Sequence, residues 1–151
     1  MSTALITGAA GGIGRELARQ LAERGATVIA ACRKSSAALT QLPVRVEDGI
    51  DLATNEGCTA LAARLAGVSL DLVIHNAGVL SGKAEKLVRK GLDLVAANRV
   101  GVQGQGFESE DNELTLVDAA SERALGRGSK RELARALVAE IAARLAQRDG
   151  A

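Results

Sequence analysis

The chain has 151 residues, of which 47% are apolar and 25% charged, with a formal net charge of +1. That length suits one domain with a proper core, and the apolar content excludes a disordered chain. The near-neutral balance excludes the strong basic bias of a nucleic-acid footprint, and no apolar run reaches the roughly 18–20 residues that cross a bilayer.

Ala4–Thr7 reads as a short buried strand. It is followed by Thr7-Gly8-Ala9-Ala10-Gly11-Gly12-Ile13-Gly14 and then by Ile13, Leu17 and Leu21 at four-residue spacing, which predicts a helix over about 13–24 ended by Gly25. Ala26–Ala31 is a second strand. Ser35 or Ser36 can cap a short helix that stops before Pro43, and Val44–Val46 starts a third strand. Thr54 can cap a helix carrying Cys58, Leu61 and Leu65 on one side and closed by Gly67, before a fourth strand at Leu70–His75.

Ser81 is expected to cap a helix with Ala84, Leu87 and Val88 inward, ending at Gly91, and Leu92–Ala97 is a fifth strand. Arg99–Asn112, Gly-rich and acidic at its end, reads as a loop. Glu113–Asp118 is a sixth strand without a helical crossover before it, hence antiparallel to its neighbour. Residues 119–128 read as a second loop. Ser129 and Glu132 form a capping box for a last helix striped by Leu133, Leu137, Ile141 and Leu145.

Strands alternating with helices predict a three-layer α/β, Rossmann-like doubly wound sheet, mainly parallel, in the order 3-2-1-4-5 with the sixth strand antiparallel on the edge. One domain over 1–151 is expected. An edge strand such as Glu113–Asp118 offers unpaired backbone groups, so a homodimer through it is the alternative to a monomer. Met1–Ala4 leads straight into a core strand, so a leader is not expected and a cytoplasmic chain is. Cys32 and Cys58 are too few and too far apart for a disulfide framework or zinc site; both are expected to be reduced and buried, and no metal site is expected.

The strand–turn–helix at Gly8, Gly12 and Gly14 places glycine where backbone must take positive φ or approach a pyrophosphate, and the helix N-terminus favours an anion. The alternative is a tight turn without a ligand. An acid at the end of the second strand would hold the ribose hydroxyls of NAD. The chain reads Ala31-Cys32-Arg33-Lys34 there, so Arg33 with Arg15 points to the 2′-phosphate of NADP, against the alternative of a solvated basic edge. No cofactor is expected to be required for folding.

These residues resemble the short-chain dehydrogenase/reductase family over about the first 80 positions. Thr7 to Gly14 resembles its glycine motif and, with Ile13, the cofactor cradle. Asp51-Leu52 resembles the pair that meets the adenine ring, and Asn76-Ala77-Gly78 its Asn-Ala-Gly motif beside the cofactor. His75 stands where that family often has a further Asn, and is expected to be a hydrogen-bonded core histidine. The family continues to a Ser and a Tyr-x-x-x-Lys pair that protonates the substrate carbonyl. This chain has no Tyr, so the resemblance implies a dinucleotide site without its general acid, and no catalytic residue is assigned.

From about residue 84 to 147 the chain resembles a different family. Ala84-Glu85-Lys86-Leu87-Val88-Arg89-Lys90, Leu92-Asp93-Leu94-Val95-Ala96-Ala97-Asn98, Gly106-Phe107 and Asp111-Asn112-Glu113-Leu114-Thr115-Leu116-Val117 resemble the C-terminal part of phosphopantothenoylcysteine synthetase. The resemblance implies CTP contacts at Lys86 and Lys90, whose four-residue spacing puts both ammonium groups on one helix face. The alternative is a solvated face. The two resemblances meet near 79–84, which suggests an engineered fusion; the alternative is a divergent natural member of either family.

Overall fold

The computed structural model describes residues 2–76, 93–98 and 111–149. The chain divides into two compact units, Met1–Gly78 and Val79–Ala151.

In the first unit, β1 (Thr3–Thr7), α1 (Gly12–Glu23), β2 (Thr27–Ala31), α2 (Ala37–Thr40), β3 (Arg45–Glu47), α3 (Asn55–Arg64) and β4 (Leu72–His75) follow in order. They form a parallel sheet ordered β3-β2-β1-β4. β1 and β2 are buried at successive residues, Ala4, Leu5, Ile6 and Val28, Ile29, Ala30, Ala31, the pattern of strands covered on both faces. Leu17, Ala18 and Leu21 are the buried stripe of α1, which packs on β1 and β2. Leu61 of α3 joins Leu5, Ile29, Ala31 and Ile50 in a second cluster. The helix starts follow local chemistry: Ser36 Oγ accepts from Leu39 N–H at 3.2 Å and Thr54 Oγ1 from Gly57 N–H at 3.0 Å.

The second unit holds β5 (Val95–Asn98), β6 (Asp111–Val117), β7 (Glu122–Ser129) and α4 (Lys130–Asp149). The three strands form a separate antiparallel sheet ordered β5-β6-β7. Three sequence expectations change here. The fifth strand does not extend the parallel sheet among the described residues; it pairs with β6. The sixth strand is antiparallel to it as expected, but it is central. Among the described residues Leu114–Val117 is paired on both sides, so it is not the edge strand expected to offer free backbone groups to a second copy. The segment 119–128 is mostly strand. Its turn is confined to 118–121, where Asp118 accepts from the backbone N–H of Ala120 and Ser121 at 2.9 and 2.8 Å. Its glycines serve an irregular strand: the register slips between Leu114 and Thr115, opposite Gly126 at φ +105°.

The capping box forms as expected, with Glu132 N–H donating to Ser129 Oγ at 3.3 Å and Ser129 N–H to Glu132 Oε2 at 3.0 Å. Leu133, Ala134, Leu137 and Val138 of α4 are buried, and the helix packs on β6 and β7. Of the expected stripe, Ile141 and Leu145 are half-buried. The helix expected at 81–91 and most of the loop expected at 99–112 lie outside the described residues.

An ion network ties α4 to the hairpin. Arg144 bonds Asp118 at 2.6 Å and Glu140 at 2.8 Å, and Arg123 bonds Glu140 at 2.6 Å. The Arg144 guanidinium, joined by the two turn amides, holds the Asp118 carboxyl well below the usual carboxylate range. A carboxyl depressed by folding stabilises the fold fully above its unfolded value and loses that contribution as pH falls through its folded one. Asp118→Asn is therefore expected to flatten the acid limb of a thermal-melt series below about pH 4 and leave its neutral limb sloped as before. An acid limb identical to wild type would contradict the assignment.

Candidate functional site

The parallel register aligns Glu47, Ala31, Thr7 and His75 in one row across β3, β2, β1 and β4. The residues that follow, Asp48, Cys32, Gly8 and Asn76, therefore share the carboxyl edge of the sheet, where open α/β sheets bind ligands.

The glycine loop is tied from three directions. Asn76 Nδ2 donates to Gly8 O at 3.1 Å, Ala9 N–H donates to Ala31 O at 3.3 Å, and Ser36 Oγ donates to Ala10 O at 2.7 Å. Gly8 and Gly12 take φ of +66° and +58°. A Cβ on Gly12 would meet nothing within 4 Å, so that side of the loop is open. A Cβ on Gly14 would lie 2.5 Å from Gly8 O and 2.6 Å from Asn76 Nδ2. Gly12 thus supplies conformation and Gly14 supplies close packing. Gly11 precedes α1 without a side-chain cap and the first turn holds no acid, whereas Ser36, Thr54 and Ser129 cap the other three described helices. The first N–H groups of α1 thus have no side-chain cap, and a Cβ at Gly11 or Gly12 would meet nothing within 4 Å.

Thr7 is buried, and its Oγ1 lies 3.0 Å from His75 Nδ1. His75 is hydrogen-bonded as expected but exposed, not a core residue, because the outer strand β4 carries it. Ile13 is half-buried in α1. Arg33 is exposed at the end of β2 and Arg15 half-buried in the first turn of α1. Asp51 and Leu52 are half-buried between β3 and α3; Leu52 packs on the second cluster, and Asp51 Oδ1 accepts from Ala53 N–H at 3.0 Å. Gly57 backs this turn so closely that a Cβ would lie 2.0 Å from Asp51 O. Ala77, Gly78, Lys86 and Lys90 lie outside the described residues.

The cysteines differ from expectation. Cys32 is buried, and burial pushes its thiol pKa up, but Cys58 is exposed on α3. Sequence reasoning read Ser36 only as a helix cap and gave Asp48 no role; the fold brings Ser36 to the glycine loop and Asp48 to the segment after β2. No group of three His, Cys, Asp or Glu side chains converges as a metal site, and no helix is long and apolar enough to cross a membrane, among the described residues.

The chain belongs to the short-chain dehydrogenase family, whose model matches residues 2–102. The model of the DNA/pantothenate metabolism flavoprotein C-terminal domain matches residues 73–145, so sequence of both families is joined in one chain and the two matches overlap at 73–102. A 1-hydroxy-2-glutathionyl-2-methyl-3-butene dehydrogenase of Rhodococcus sp. (strain AD45) is 49% identical over 82 residues, covering 53% of this chain and 36% of that protein. A coenzyme A biosynthesis bifunctional protein of Vibrio vulnificus is 46% identical over 56 residues, 37% of this chain and 14% of that one. Among solved structures, a short-chain alcohol dehydrogenase from Burkholderia multivorans is 29% identical, covers 55% of this chain and 42% of its own, and aligns with a TM-score of 0.47. The matched parts thus span less than half the length of these relatives.

Gly14→Ala is expected to destabilise the first unit by about 1–3 kcal/mol through overpacking against Gly8 and Asn76, read as a lowered denaturation midpoint. Gly11→Ala, where a Cβ meets nothing within 4 Å, should change it far less. Equal effects would remove the packing role given to Gly14.

Proposed function

We propose that the first unit binds a nicotinamide dinucleotide over its glycine loop and that the chain does not reduce carbonyls. The observation that carries the binding reading is the uncapped start of α1, above a loop already held by Asn76, Ala31 and Ser36. Free N–H groups, a helix dipole and an open glycine fit a pyrophosphate without rearrangement. In this reading Thr7, Gly8, Gly12, Ile13 and Gly14 hold the pyrophosphate. Asp51 and Leu52 meet the adenine, and Asn76, Ala77 and Gly78 flank the nicotinamide side. Arg33 and Arg15 draw the 2′-phosphate, which favours NADP. The bound cofactor would supply hydride. Reduction also needs a proton at the carbonyl oxygen, and the family's donor is a tyrosine that this sequence lacks.

The chain is, on the same reading, an engineered chimera joined near 79–84. A natural gene whose product aligns without a break across those positions would overturn this. The match over 73–145 favours a second reading, a CTP contact at Lys86 and Lys90 retained from the coenzyme A family. In that case CTP raises the melting temperature and Lys86→Ala removes the rise; a melt indifferent to CTP would dispose of it.

NADPH is expected to show saturable fluorescence enhancement with a Kd of about 0.1–1 mM. No nicotinamide absorbance should be lost with aldehydes or quinones. Emission unchanged up to about 1 mM protein would defeat the binding reading, and steady NADPH consumption would defeat the non-catalytic one.

A further inference from the structure

We infer that Asp48 is a specificity-determining residue of this nucleotide site: it brings from the end of β3 the carboxylate that the end of β2 lacks, and opposes the 2′-phosphate that Arg33 and Arg15 attract. The inference rests on the nucleotide-binding reading above.

In sequence, Asp48 lies 15 positions beyond Arg33 and outside the glycine motif. Pairing brings the two ends together. Cys32 N–H donates to Glu47 O at 3.0 Å, and Ile50 N–H donates to Cys32 O at 2.9 Å. These bonds bracket Asp48 and fix it beside Cys32, directly after β2. Arg64 secures the same point from α3, its Nη1 donating to Asp48 O at 2.8 Å and to Glu47 Oε2 at 3.2 Å. The carboxylate then points into the segment after β2. Its Oδ1 accepts from Ser35 N–H at 2.7 Å and from the Cys32 thiol at 3.8 Å. Arg33 and Lys34, between those two donors, are exposed, as is Asp48 itself.

A carboxylate at this end of β2 can accept from a ribose hydroxyl, whereas it repels a phosphate. It also occupies Ser35 N–H, a donor suited to phosphate oxygen. Two basic residues and one fixed acid therefore act on the same ribose with opposite preferences. The expected wild-type behaviour is a weak preference for NADPH, held down by Asp48.

Asp48→Asn isolates the charge, because the amide oxygen still accepts from Ser35 N–H. Titration of wild type and variant with NADPH and with NADH, read by nicotinamide fluorescence, should show NADPH binding about fivefold tighter in the variant, with NADH changed less than about twofold. High salt should shrink the gain. Asp48→Ser should move the ratio the same way, which keeps the test open should the first variant melt early. An unchanged or reduced NADPH-to-NADH preference in a folded variant overturns the role of Asp48 while leaving the binding reading in place. A wild type that binds neither nucleotide overturns both.

Discussion

The first turn of α1 sits on the Gly8 carbonyl and the Asn76 amide with no space for a methyl group at Gly14. That contact sets the height of the helix above the sheet, and with it the direction of the uncapped N–H groups. It also joins β1 to β4, because Asn76 follows directly after the strand that pairs with β1. Ala31 and Ser36 complete the restraint from the β2 side. The loop is thus shaped by its own chain, which lowers the ordering cost that a ligand would otherwise meet.

The joining of two families has a structural counterpart. Residues up to 78 complete a parallel sheet of four strands with their own core, and β5, β6 and β7 satisfy one another in an antiparallel sheet backed by α4. Each set of strands finds its hydrogen-bond partners within its own unit among the described residues. Register between β5 and β6, from Val95 opposite Val117 to Asn98 opposite Leu114, is set by the alternation of buried Leu114 and Leu116 with half-buried Thr115.

Much of the first unit was legible because its signals are local. Buried β1 and β2 show as apolar runs, Ser36 and Thr54 show as caps, and the glycine turn announces a strand-to-helix crossing. Two kinds of feature escaped. Strand pairing beyond the fourth strand depended on which partner won, and the Gly-Arg-Gly of β7 looked like a loop although it serves an irregular strand. Asp48 was invisible for a related reason: only the β2–β3 register carries it to the end of β2. Cys58 misled by periodicity, since its helical position matched Leu61 and Leu65 while its side chain remained outside the core.

That contrast between the two thiols gives the molecule a chemical address. Cys32 is enclosed and burial pushes its thiol pKa up, whereas Cys58 is open on the first turns of α3, where its thiol donates to Leu52 O at 3.7 Å. A maleimide dye therefore attaches at one place, next to the turn that carries Asp51 and Leu52. In a chain without tryptophan or tyrosine, such a fluorophore would be the sole strong emitter, and it would watch the turn between β3 and α3 from outside.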